Sequence, residues 1–146
     1  MKKNIYFSII TLLFLQSCGK NVTNISKHNS NESHNEGQNC MSCHVKGGEG
    51  EGRFTVAGTV YDSLKVNTYP NAIIELYTGT NGTGTVQNTI EVDAKGNFYT
   101  TENIKFGNGL YPSVTGSTSS FHMLSPLTSG QCNNCHGNTT NKIWIK

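Results

Sequence analysis

Two short stretches of this chain repeat one arrangement of reactive side chains, Cys40-Met41-Ser42-Cys43-His44 and Cys132-Asn133-Asn134-Cys135-His136. In each, two thiols stand three positions apart and an imidazole follows the second. A single helical turn brings residues at this spacing to one side. This is the arrangement that attaches a c-type haem. The two sulfurs bond the vinyl groups of the porphyrin, and the histidine gives a nitrogen to the iron as its proximal ligand. The expectation is two covalent haem c groups on Cys40, Cys43, Cys132 and Cys135, with His44 and His136 as proximal ligands.

Other chemistries use paired cysteines. Two CxxC pairs could make a four-cysteine zinc site, but that site has no use for a histidine after each pair. Disulfides within or between the pairs would staple a small exported fold, and they too ignore the histidines. A redox-active CxxC disulfide calls for a thioredoxin-like βαβ setting that neither pair has. Zinc and disulfides stay open as alternatives.

The far side of each iron needs a second ligand or an open position. Met123 and His122 stand nine and ten residues before Cys132, and strand-like alternation sends them in opposite directions. Met123 is the first choice for the C-terminal iron and His122 the second; a structural role for both is the competing reading. His34, six residues before Cys40, is the candidate for the N-terminal iron, with His28 further off. Both lie in a polar stretch where a histidine can equally be solvated. Met41 sits inside its own motif, badly placed to reach across a ring. Trp144 and Phe121 are candidate aromatic neighbours of the cofactors, and are equally at home as core residues.

What precedes the motifs sets their compartment. Met1-Lys2-Lys3-Asn4 leads into IYFSIITLLFL, a charged start and a short apolar run characteristic of a secretory signal. Leu15-Gln16-Ser17-Cys18 resembles a bacterial lipoprotein box, which implies lipidation of Cys18 and cleavage before it. Residues 1–17 are thus expected to be removed, and acyl chains on Cys18 to hold the protein on a membrane. Gly19 lacks the aspartate that resembles an inner-membrane retention signal, which points to the outer membrane, on its periplasmic or cell-surface face. With Lys2 and Lys3 gone, nine basic and nine acidic side chains remain. No basic excess suggests a nucleic-acid partner.

Residues 18–38 then read as the lipidated cysteine and a flexible tether. Asn, Ser, Glu and Gly crowd it, and it has too little apolar surface to offset the entropy of ordering. Residues 39–53 carry the first motif. From Phe54 the pattern becomes period two, with Phe54, Val56 and Val60 on one face and Thr55, Thr59 and Tyr61 on the other, as in a half-buried strand. Asn71 to Tyr77 repeats the sign with Ala72, Ile74 and Leu76 inward. The glycines of TGTNGTGT mark a hairpin loop; no Lys-Ser or Lys-Thr pair follows to make it a phosphate loop. QNTIEVD, a tight turn at AKGN and FYT complete the series. Short strands at this spacing predict a mostly β chain, an antiparallel β-sandwich over residues 54–128, with the second CxxCH segment at 129–146.

Gly58-Thr59-Val60-Tyr61-Asp62, Pro70-Asn71-Ala72 and Asp93-Ala94-Lys95-Gly96-Asn97-Phe98 together resemble the carboxypeptidase regulatory-like module, which implies a transthyretin-like sandwich of about seven strands and says little of function. The two CxxCH motifs resemble those of exported multihaem cytochromes c. Two haems with no separate substrate-activating group in the sequence point to single-electron transfer, with other redox proteins, cytochromes among them, as partners; a small peroxidase, which would need an open five-coordinate iron, stays open as a catalytic alternative. The competing reading is a binding or structural lipoprotein whose CxxC pairs form disulfides or hold zinc.

Overall fold

The computed structural model describes residues 22–146, so the expected signal, its cleavage point and Cys18 lie outside the described residues. The alternation in Asn71–Tyr77 sets up the first sheet. Strand β1 (Val56–Tyr61) comes before it in the chain; β2 (Ile73–Tyr77) turns Ile74 and Leu76 inward together with Ala72 just before it, all three buried. The TGTNGTGT segment makes a tight 3-10 turn at Thr80–Gly82 and returns as β3 (Val86–Glu91), antiparallel to β2, which makes the glycines a hairpin loop. β4 (Asn97–Thr100) follows a turn in which Gly96 adopts a positive φ of 82° and the Asp93 carboxylate accepts the Lys95 and Asn97 N–H groups. Glycine suits that conformation, and an aspartate acceptor two to four residues back is the usual way such a turn is tied. β5 (Tyr111–Thr115) and β6 (Ser120–His122) complete a sheet of order β3-β2-β5-β6.

The second sheet is built around β1. β4 pairs with it antiparallel, from Val56–Thr100 to Thr59–Asn97. The C-terminal segment supplies the rest: β7 (Gly130–Gln131) runs parallel beside Val56 and Ala57, one helical turn α1 (Cys132–Cys135) follows, and β8 (Ile143–Trp144) runs parallel beside Val60 and Tyr61. The sandwich therefore does not stop at residue 128; residues 129–146 are part of its sheet, and Ile145 is fully buried in its core. The two sheets enclose Val56, Val60, Leu76, Ile90, Val92 and Phe98 with their neighbours. Each such side chain taken from water contributes about 1.5–3 kcal/mol before entropy is charged against it.

Two sequence expectations change here. β1 is buried along its whole length, not half-buried, because segments from both ends of the chain cover its outer face. Phe54 precedes the strand and packs with Ala57 and Tyr99 on that outer face, away from Val56 and Val60, which lie in the core between the sheets. The expected flexible tether is likewise a strap over residues 22–38. Ile25 bridges Thr100, the Ser26 hydroxyl donates to the Glu91 carbonyl at 2.6 Å and accepts the Tyr99 N–H at 3.0 Å, and Asn29 and Asn71 exchange hydrogen bonds. Composition gave this stretch no apolar means of docking, but it docks by polar means on backbone groups that β3 and β4 leave open. Among the described residues no helix is long and apolar enough to cross a membrane.

Candidate functional site

Both CxxCH motifs fold into the same single turn. Cys40–Ser42 is a 3-10 turn capped by the Asn39 side chain, which accepts the Met41 N–H, and the His44 N–H closes on the Cys40 carbonyl at 3.0 Å. In the second motif the His136 N–H closes on the Cys132 carbonyl at 2.9 Å. The four cysteines are free thiols.

The histidines are held alike as well. Nδ1 of His44 lies 2.8 Å from the Glu51 carbonyl, and Nδ1 of His136 lies 2.7 Å from the Asn141 carbonyl. A carbonyl can only accept, so each Nδ1 carries a proton, and in the neutral ring the lone pair is then on Nε2. A backbone carbonyl on one ring nitrogen is the usual support of a metal-bound histidine, because it fixes the tautomer and the ring orientation.

Each motif opens on its own cavity. The N-terminal cavity, about 310 Å³, is bounded by Cys40, Cys43, His44 and, from the strap, His34. The His44 ring stacks on Phe54 at 4.0 Å between centroids, and Phe54 stacks on Tyr99 at 4.8 Å. The ring centroids of His34 and His44 are 6.0 Å apart. Their planes are inclined at 32°. His28 is engaged elsewhere, its Nε2 3.1 Å from the Ala72 carbonyl.

The C-terminal cavity, about 410 Å³, enters between the sheets. Cys132, Cys135 and His136 border it together with Val56, Leu76 and Val114 from the core. Phe121 and Trp144 also border it and contact each other at 4.5 Å, so the two aromatics sit beside the second motif. Both His122 and Met123 reach the cavity wall. The register separates them. Phe121 pairs with the inward Val114 and His122 with Ser113, so the His122 ring belongs to the other face, where a Cβ added at Gly82 would come within 2.8 Å of it. Met123 returns to the inner face, its N–H bonded to the Pro112 carbonyl.

The thiols differ in environment. Burial pushes the Cys132 thiol up to about 12, with smaller contributions from the nearby Cys40 and Cys135 sulfurs. Burial also raises Cys40, against a lowering backbone hydrogen bond. Among the described residues no group of three or more His, Cys, Asp or Glu is arranged to hold a bare metal ion. A four-cysteine zinc centre would need such a group. A porphyrin brings its own four nitrogens and asks the chain only for the thioether sulfurs and one or two axial ligands, and each cavity offers that set.

One residue of the site carries no signal in the sequence. Asn133, a variable position inside its CxxC, is buried; its Oδ1 accepts the Thr59 N–H at 3.0 Å and its Nδ2 donates to the Gln38 carbonyl and the Thr59 hydroxyl, both at 2.9 Å. No model of a known protein family, no curated protein and no solved structure matches this chain.

Proposed function

We propose that this chain is an exported, lipid-anchored c-type cytochrome that carries two covalent haems and passes single electrons between redox partner proteins, other cytochromes among them. One observation supports the reading above the rest. Two unrelated points of the chain adopt the same CxxCH turn, and in both the histidine Nδ1 is tied to a backbone carbonyl, which leaves Nε2 as the ring nitrogen a metal could take. When bound, each haem supplies an iron that changes by one electron between its ferrous and ferric states. The chain supplies the rest. His44 and His136 would hold the two irons, His34 and Met123 line the same two cavities as candidate second ligands, and the core residues around the second cavity would limit the access of water. A methionine ligand raises the reduction potential, so the C-terminal site is the higher of the two.

Lipidation of Cys18 and an outer-membrane location belong to the same reading, as does a sandwich of the carboxypeptidase regulatory-like kind. The test is direct. Protein exported by a cell with intact cytochrome maturation keeps its red colour through acid-acetone extraction and gains the mass of two haems. The paired change Cys40→Ala with Cys43→Ala removes one of them, and Cys132→Ala with Cys135→Ala removes the other. Colourless protein of apoprotein mass overturns the proposal.

A further inference from the structure

The two motifs are far apart in sequence, and the expectation was a cofactor at each end of the β-rich body. They are neighbours instead. Cys40 and Met41 pack on the outer face of β1 against Ala57, while on the inner face Gly58 leaves room for Cys132, since a Cβ there would fall 2.9 Å from the Cys132 Cβ. Consecutive residues of one strand thus back the first cysteines of both motifs. The residues before those cysteines also touch, with the Asn39 side-chain amide donating to Gln131 Oε1 at 3.3 Å.

A buried chain of hydrogen bonds ties the two sites more firmly. Asn133 reaches from α1 to the Gln38 carbonyl, two residues before Cys40, and to the Thr59 hydroxyl. Thr59 donates to Asn97 Oδ1 at 2.7 Å, and Asn97 Nδ2 in turn donates to the Ser33 hydroxyl at 3.0 Å and lies 3.4 Å from the His34 carbonyl. One asparagine in the second motif therefore reaches the backbone ahead of the first cysteine directly and the residue that faces His44 through two intermediates. Networks of this kind, with each member hydrogen-bonded, hold a single geometry.

Resting on the dihaem reading, we propose that the two cofactor sites work as one coupled pair joined across β1, with Asn133 as the positioning residue that fixes their separation. The exchange it serves moves one electron and no atom. The iron at one site goes from ferrous to ferric as the other goes from ferric to ferrous. Its rate depends steeply on spacing, and spacing is what Asn133 controls.

Asn133 also fills a gap in the sheet, because its Oδ1 takes the Thr59 N–H in the interval between β7 and β8. The experiment has to separate that role from the bridge. Asn133→Asp keeps an acceptor for Thr59 and in its ionised form cannot donate to Gln38, whereas Asn133→Ala loses both. Gln131→Ala, at an exposed position, cuts only the contact with Asn39 and keeps the test alive if Asn133→Ala does not fold. Each protein, checked for two haem masses, is pulse-reduced with less than one electron per molecule, and the redistribution between the two spectra is timed. Expected is a several-fold slower exchange in Asn133→Asp and Asn133→Ala, a smaller slowing in Gln131→Ala, and the wild-type rate in Asn134→Ala, an exposed neighbour in the same turn. If both Asn133 variants, or Asn133→Asp and Gln131→Ala when Asn133→Ala does not fold, carry two haems and exchange at the wild-type rate, the coupling proposal is overturned and the dihaem reading stands. A protein without haem mass overturns both.

Discussion

The enclosure of Cys132 ties the stability of the fold to pH. The folded chain keeps this thiol protonated to about 12 against an ordinary value near 9.0, chiefly because the sulfur is enclosed. A thiolate is the nucleophile for bonding a vinyl group, so on the proposed dihaem reading the folded site would be a poor place for that reaction, and attachment would belong to a more open chain. The linkage runs in one direction. Above the ordinary thiol value the unfolded chain has released this proton while the folded chain still holds it, so the unfolded state binds fewer protons and stability falls as pH rises. Haem-free protein under reductant should therefore show a urea midpoint that declines steadily between the two values. Tyr61 and Tyr99, both raised mainly by burial, add to that slope, so Cys132→Ala should flatten it in part and not wholly. Haem-loaded protein would have thioethers at both Cys132 and Cys40, whose thiol burial also raises, and should show a flatter slope than Cys132→Ala. An undiminished slope in both would mean that the Cys132 thiol is not enclosed.

At the scale of elements, the strap over residues 22–38 is the part that most needs its polar contacts. Ser26 is buried at the junction of the sheets, where it donates to β3 and accepts from β4. Ser26→Ala leaves the Tyr99 N–H and the Glu91 carbonyl without that partner, and an unsatisfied buried group costs about 1–3 kcal/mol. The urea midpoint should fall accordingly, with added amide exchange at Ile25 and Tyr99; a change within error would show that the strap is not bound. The strap was illegible in the sequence for the reason that makes it weak. Its docking uses backbone and hydroxyl groups, which leave no periodicity, whereas Ala72, Ile74 and Leu76 declare their strand by alternating apolar side chains. β1 was legible as a strand but not as a buried one, since a period of two records which residues face the core and not what later covers Ala57 and Thr59. β7 and β8, two residues each, are too short to carry a pattern at all. The CxxCH turns were legible as turns, since their spacing suits one turn closed by the His44 and His136 N–H groups on Cys40 and Cys132. Asn133 was not, because its importance comes from the fold beside it.

For the whole molecule, the second cavity decides how cooperative the protein is. A space of about 410 Å³ lies against the core, with Val56, Leu76 and Val114 among its walls. Protein interiors are close-packed, and a space of this size costs the dispersion contacts that would fill it. The segment that closes it, residues 129–146, is held by two two-residue parallel strands, by Asn133 and by Ile145 in the core. Few main-chain bonds guard it, so it should open before the β2–β3 hairpin, whose ladder runs from Ile73–Glu91 to Tyr77–Val86. A cofactor bonded to Cys132 and Cys135 and ligated by His136 would fill the cavity and tie this segment to Met123 on the opposite sheet. Amide exchange on haem-free protein should thus be fast in β6, β7, α1 and β8 and slow in β2 and β3. In the loaded protein the two groups should converge and the thermal midpoint rise. Equal protection of both groups in the haem-free protein would mean that the sandwich closes unaided, and would count against the space between the sheets as a porphyrin site.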